Sequence, residues 1–183
     1  MDTKAKKRIY LDNAATTQVD IDILEQTIKY FSVDYGNASG IYKESRVAKN
    51  AIDLSRDAVA NLINSSPDEI YFTAGGSESD NWALRGLLDK SDKKHIITTK
   101  IEHQAILNTC KYLENKGYNI TYLDVDNSGF VDMDMLENSI RSDTVVISIM
   151  SANNEVGTIQ DIKTACEIAH KNGVYFHTDA VQS

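Results

Sequence analysis

Apolar residues recur at helical spacing twice before residue 68, and beyond it short β-branched runs alternate with further helical stripes. Over residues 20–31, Ile23, Leu24, Ile28 and Phe31 share one helix face; over 44–63, Ala48, Ala51, Ile52, Val59 and Leu62 do the same. Residues 64–68, which hold the single proline, Pro67, end the second helix. Residues 69–73 then read as a strand, and Gly75, Gly76 and Ser77 turn the chain into a helix carrying Trp82, Leu84, Leu87 and Leu88. A strand at 95–99 leads to a helix over 104–116 with Ile106, Leu107, Cys110 and Leu113, which stops at Gly117 in a left-handed cap. Strands follow at 120–125 and 144–150, the latter the most apolar, as expected of a strand covered on both faces. A helix with Ile162, Ala165, Cys166, Ile168 and Ala169 precedes Gly173 and a last strand at 174–176.

Such alternation predicts an α/β fold: a mostly parallel sheet with helices on both faces. A length of 183 residues fits one domain, with a helical segment at 1–67 and a βαβ portion at 68–183. Ligands of such sheets bind at the carboxyl ends of the strands. Four loops are therefore read together: 74–77, 100–103, 151–157 and 179–183.

Composition narrows the chemistry. A net charge of −8 argues against a general nucleic-acid binder, because phosphate backbones need a basic face. No apolar run has membrane-spanning length. Lys4, Lys6, Lys7 and Arg8 lack a following apolar stretch and read as a solvated leader, not a signal peptide. Cys110 and Cys166 fall in helical segments outside any CxxC pair, so they read as buried apolar residues of a protein from a reducing cytoplasm, with no metal site.

In "TAGGSESDN", 73–81, glycines and a serine between strand and helix allow backbone N–H groups to converge on an anion such as phosphate. The same residues also read as a helix cap, with Ser77 and Asp80 at capping-box spacing. His103 stands after a strand and before a helix, where imidazole stacks on a planar ligand or moves protons, or is simply exposed. Asn153 and Asn154 follow the most apolar strand and serve a turn or a ligand. Asp179, past the last strand, forms a turn or holds a cationic ring nitrogen. "DVDNSG" at 124–129 begins like a calcium loop, but its twelfth position is Met135. His170 and Lys171 read as cations at a helix C-terminus.

Six stretches in order, "YLDNAATT" at 10–17, "GNAS" at 36–39, "FTAGGSESDN" at 72–81, "EHQAIL" at 102–107, "NNEVG" at 153–157 and "HTDAVQS" at 177–183, resemble the class V, fold type I pyridoxal 5'-phosphate enzymes. The resemblance is greatest to cysteine desulfurases of the NifS/IscS type and covers nearly the whole chain. It implies an incomplete large domain of that fold. It further implies that Gly76 and Ser77 cradle the cofactor phosphate and that His103 stacks on the ring and takes part in proton transfer. Asn154 and Gln182 would bond the ring's 3'-oxygen, and Asp179 would pair with the ring nitrogen.

The implied reaction takes sulfur from L-cysteine, leaving alanine and an enzyme persulfide for a sulfur-acceptor protein in iron–sulfur cluster assembly or in tRNA or cofactor thiolation. A cytoplasmic homodimer is implied as well, with no direct nucleic-acid or membrane partner. In the family the Schiff-base lysine follows a Ser-x-His-Lys strand end, and neither this motif nor the nucleophilic cysteine nor the substrate-carboxylate arginine is matched within residues 1–183. These residues therefore read as the N-terminal part of a desulfurase, inactive alone. Where the family often has "GNPSS" and a histidine, this chain has "GNASGIY" with Tyr42, which leaves the subgroup open. A selenocysteine lyase, an aminotransferase of the same class and a non-catalytic cofactor-binding or subunit-pairing module are the alternatives.

Overall fold

A computed structural model describes residues 8–183, so three of the expected leader residues, Lys4, Lys6 and Lys7, lie outside the described residues. The chain divides after Phe72 into two compact units. The first holds α1 (Ile21–Ser32) and α2 (Lys43–Ile63), followed by a 3-10 turn at Pro67–Glu69. Asp20 starts α1 by accepting from the backbone N–H groups of Asp22 and Ile23, satisfying donors that have no partner inside the helix. Asn64 ends α2 in the left-handed region, at φ 55°.

The strand expected at 69–73 does not form among the described residues. Ser66 and Glu69 close a reciprocal capping box around Pro67, with Ser66 N–H donating to Glu69 Oε2 at 2.8 Å, and this turn takes up the start of the segment. Ile70 is extended, yet no described strand offers a ladder to the residues after it. Tyr71 and Phe72 remain 65% and 53% exposed.

The second unit runs α3 (Gly76–Asp89), β1 (His95–Thr99), α4 (Gln104–Glu114), β2 (Asn119–Leu123), α5 (Met133–Asn138), β3 (Thr144–Ser148), α6 (Ile162–Lys171) and β4 (Tyr175–His177). All four strands are parallel, in the order β2-β1-β3-β4. Side chains alternate across a strand, and two cores result. Ile97 and Ile147 point into one, with Leu136 of α5 and Ala165 and Ala169 of α6. Ile96 and Val146 point into the other, with Leu84 and Leu88 of α3 and Ile106, Cys110 and Leu113 of α4. The expected sheet with helices on both faces is thus formed, and β1 and β3, buried throughout, are its centre.

Boundaries shift by a few residues. The ladder of β3 stops at Ser148, while Ile149 and Met150 continue buried beyond it. Gly117 takes φ +89° after α4, a conformation that glycine adopts without steric cost. The expected burial holds for Cys110, but Cys166 is half-buried, with Sγ 3.8 Å from the His170 ring nitrogens. Helix α5 was not expected, and Asp132 caps it through Met135 N–H at 3.0 Å.

Candidate functional site

The carboxyl ends of β1, β3 and β4 carry three loops that the backbone ties together. Ser151 N–H donates to Asp179 O at 2.9 Å, and the hydroxyls of Ser151 and Ser183 meet. Asn153 Nδ2 donates to Ile101 O at 2.9 Å, and Met150 N–H donates to Glu102 Oε1 at 3.0 Å. The fourth loop joins at the start of α3, where a β-carbon on Gly76 would stand 3.2 Å from Val181 Cγ2. All four loops expected to act together therefore meet at one end of the sheet, because each continues a strand or opens a helix of the same layer.

The capping box expected between Ser77 and Asp80 is not formed. Helix α3 begins two residues earlier than that box requires, with Gly75 as its cap and no side-chain cap bond, and Asp80 turns inward to 4% exposure. Glu78 N–H and Ser79 N–H both donate to Gly75 O, at 3.1 and 3.2 Å, so the intrahelical ladder starts there. The N–H groups of Gly76 and Ser77 lie ahead of it, at the positive end of the helix dipole. Ser77 is exposed at this end.

His103 caps α4: its Nδ1 accepts from Ala105 N–H at 3.1 Å, which leaves Nε2 to carry the proton of the neutral ring. The imidazole is exposed. Of the two asparagines, Asn153 is structural, its Oδ1 accepting from Glu155 N–H and Val156 N–H at 2.9 Å each. Asn154 beside it is half-buried, and Gln182 is exposed. Asp179, half-buried, accepts from Val181 N–H through Oδ1 at 3.0 Å, the turn expected of it.

Beneath these residues lie two acids, Asp80, which the sequence offered only as a capping partner, and Glu102, which it did not single out. Burial pushes the Asp80 carboxyl up to about 6, with the Asp179 charge adding to the effect and His103 opposing it. Glu102, 4% exposed, is pushed up to about 7 by burial, against the bonds from Met150 N–H and Thr99 Oγ1 at 2.8 Å that favour its charge. Asp80 Oδ2, Glu102 Oε2 and Thr178 Oγ1 have no hydrogen-bond partner among the described residues. Asp80 Oδ1 stands 3.6 Å from His177 Nε2, too far for a hydrogen bond, and burial drives both groups toward their neutral forms. The one available signal was position, since Glu102 adjoins His103 and Asp80 closes the glycine-loop stretch.

The decoys resolve locally. Asp126 Oδ1 accepts from Ser128 N–H and Phe130 N–H at 2.8 and 2.9 Å, so the 124–129 loop satisfies its own carboxylate. Lys171 at the end of α6 pairs with Glu137 at 2.7 Å. Among the described residues no group of His, Cys, Asp and Glu is arranged to hold a metal, and no helix is long and apolar enough to cross a membrane.

A family model described as aminotransferase class-V matches residues 9–183. The chain is 50% identical over 179 residues to a cysteine desulfurase IscS of Methanosarcina thermophila, covering 97% of this chain and 44% of that protein. It is 46% identical over 179 residues to a cysteine desulfurase IscS of Clostridium botulinum, covering 97% of this chain and 45% of that one. Among solved structures, a NifS-like protein superposes with TM-score 0.93 at 41% identity, over 97% of this chain and 50% of its own. A structure described as SspA in complex with cysteine gives TM-score 0.92 at 41% identity, over 95% of this chain and 51% of its own. The chain thus spans about half the length of the proteins it matches.

Proposed function

This chain belongs to the aminotransferase class-V family, and on that premise we propose that it is the N-terminal part of a pyridoxal-phosphate-dependent cysteine desulfurase. The observation that carries the reading is the meeting of the α3 start with the Asp179 loop, through Gly76 and Val181. An anion finds N–H donors at one side of this arrangement, and a cationic ring finds a carboxylate at the other. That pairing fits a phosphorylated pyridine.

Gly76 and Ser77 would hold the phosphate through backbone N–H groups and the Ser77 hydroxyl. Asp179 would hold the proton on the ring nitrogen by a charge-assisted bond. Asn154 and Gln182 would bond the 3'-oxygen. His103 would lie on the ring face and move a proton at Nε2, since Nδ1 is committed to the α4 cap. Asn153 keeps the loop before His103 in place by holding Ile101 O. Bound pyridoxal phosphate supplies the electron sink for charge developing at the substrate Cα.

Neither cysteine of this chain suits the sulfur-accepting role. Burial pushes the Cys110 thiol up to about 12, and nucleophilic cysteines work as thiolates. Cys166 lies on α6, whose side chains pack against the opposite core. Residues 1–183 also contain no Ser-x-His-Lys sequence for a Schiff-base lysine. Turnover is therefore proposed for the full-length protein and not for these residues alone. Its substrate would be L-cysteine, its products alanine and a persulfide passed to a sulfur-acceptor protein for clusters or for tRNA and cofactor thiolation, and its form a cytoplasmic homodimer. Incubating the full-length protein with pyridoxal phosphate, L-cysteine and an excess of a dithiol reductant, which reduces the persulfide to sulfide, tests this. Alanine and sulfide should appear in equal amounts; alanine from selenocysteine alone, or from neither, overturns the proposal.

A further inference from the structure

The buried acids behind Asp179 have no role in the chemistry above, and their arrangement calls for one. Asp80 reaches the site from α3, Glu102 from the loop after β1, and Asp179 from the loop after β4. Asp179 raises the proton affinity of Asp80 and of Glu102, and Asp80 raises that of Glu102. The other titratable groups facing them are His103 at the start of α4, which favours the Asp80 charge, His177 at the end of β4, and the buried Cys110 thiol, on which Glu102 acts.

With no lysine or arginine of the described residues among the groups acting on them, the two buried carboxyls, Asp80 and Glu102, hold their protons to higher pH than ordinary carboxylates. Water reaches Asp179, which is half-buried, and hardly reaches Asp80 or Glu102. Their second oxygens, Asp80 Oδ2 and Glu102 Oε2, are also the ones without a partner among the described residues, where a neutral O–H is tolerated better than a bare anion.

Resting on the functional reading above, we propose that Asp80 and Glu102 are positioning residues that keep the negative charge of the site on Asp179, where the ring nitrogen would bind. Neither touches the cofactor in this account. Below their midpoints they are neutral and leave Asp179 as the acid facing the ring, and as they lose their protons with rising pH they add negative charge behind it.

The test uses the full-length protein, cofactor-free and loaded with pyridoxal phosphate, as wild type and as D80N, E102Q and D179N. In the cofactor-free protein, carbon-13 carboxyl shifts of Asp80 and Glu102 should titrate with midpoints near 6 and 7. D179N should lower both by about one unit, and D80N should lower that of Glu102. Ordinary carboxylate midpoints in wild type, or midpoints that D179N leaves in place, overturn the proposal, and the wild-type arm needs no variant to fold. In the loaded protein, the pH midpoint of the cofactor's visible band should fall by about half a unit in D80N and E102Q, which cannot add charge behind the ring. Identical midpoints in all three proteins overturn the positioning role even where the carboxyls are coupled. If the wild type gives no visible band with pyridoxal phosphate, the functional reading fails by itself, and the cofactor-free titrations still decide whether the three acids are coupled.

Discussion

Helix α1 in the first unit and helix α6 in the second are of similar length, 12 and 10 residues, and both carry an apolar stripe. Helix α1 buries none of its residues, and Phe31 is 81% exposed. Helix α6 closes Ala165 and Ala169 completely, in a core shared with Ile97 and Ile147 of the sheet. A stripe at helical spacing states that a face seeks a partner, and only the assembled layer supplies one. In the second unit local pattern and tertiary burial agree. In the first, the pattern of α1 stands without burial.

The contrast is sharpest for single core residues. Ile147→Ala should cost about 2–5 kcal/mol in urea unfolding of the 183-residue chain, because it opens a cavity between two fully covered faces. Phe31→Ser should stay within about 0.5 kcal/mol in the same assay. Equal losses at the two sites would erase the distinction between the units.

A second effect concerns acids buried in the folded second unit. Glu102 has a folded-state pKa raised from 4.5 to about 7, so the folded chain binds more protons than the unfolded chain between those values. Its contribution is complete below about 4.5 and is lost as pH rises through about 7. The loss amounts to about 3 kcal/mol at most, from a difference of about 2.5 units. Glu102→Gln should flatten this slope, since the amide oxygen can still accept from Thr99 and Met150; unfolding midpoints from pH 4 to 8 check it.

Smaller effects follow. Asp132→Ala should cost about 1 kcal/mol, as α5 has six residues and depends on that cap and on Leu136. A thiol reagent applied to the native chain should modify Cys166 well before Cys110, whose thiol is buried and raised to about 12. Mass spectrometry of the labelled peptides reads the order directly.

These regions also differ in how far the sequence disclosed them. β1 and β3 were legible because an unbroken β-branched run bounded by turn residues has few other fates. The 69–73 segment has the same character, yet the turn at Pro67 takes its first residue and no described strand pairs with the rest. Helix α5 escaped notice because six residues in an aspartate-rich stretch give less than two turns of periodicity. The strand-end loops were legible from fold class alone, and the motifs named Gly76, Ser77, His103, Asn154, Asp179 and Gln182 within them. Asp80 and Glu102 were not. An acid next to a ligand loop reads as solvated until the fold shows that α3 and the β1 loop turn it inward.

The central claim is that this end of the sheet holds a phosphorylated pyridine through the α3 start and Asp179. Titrating pyridoxal phosphate into the full-length protein and its Asp179→Asn variant, followed by the visible absorbance of the bound cofactor, tests it most directly. The account predicts saturable binding by the wild type and at least about tenfold weaker binding by the variant, the loss of one charge-assisted bond. No saturable binding, or equal binding by both proteins, would contradict it.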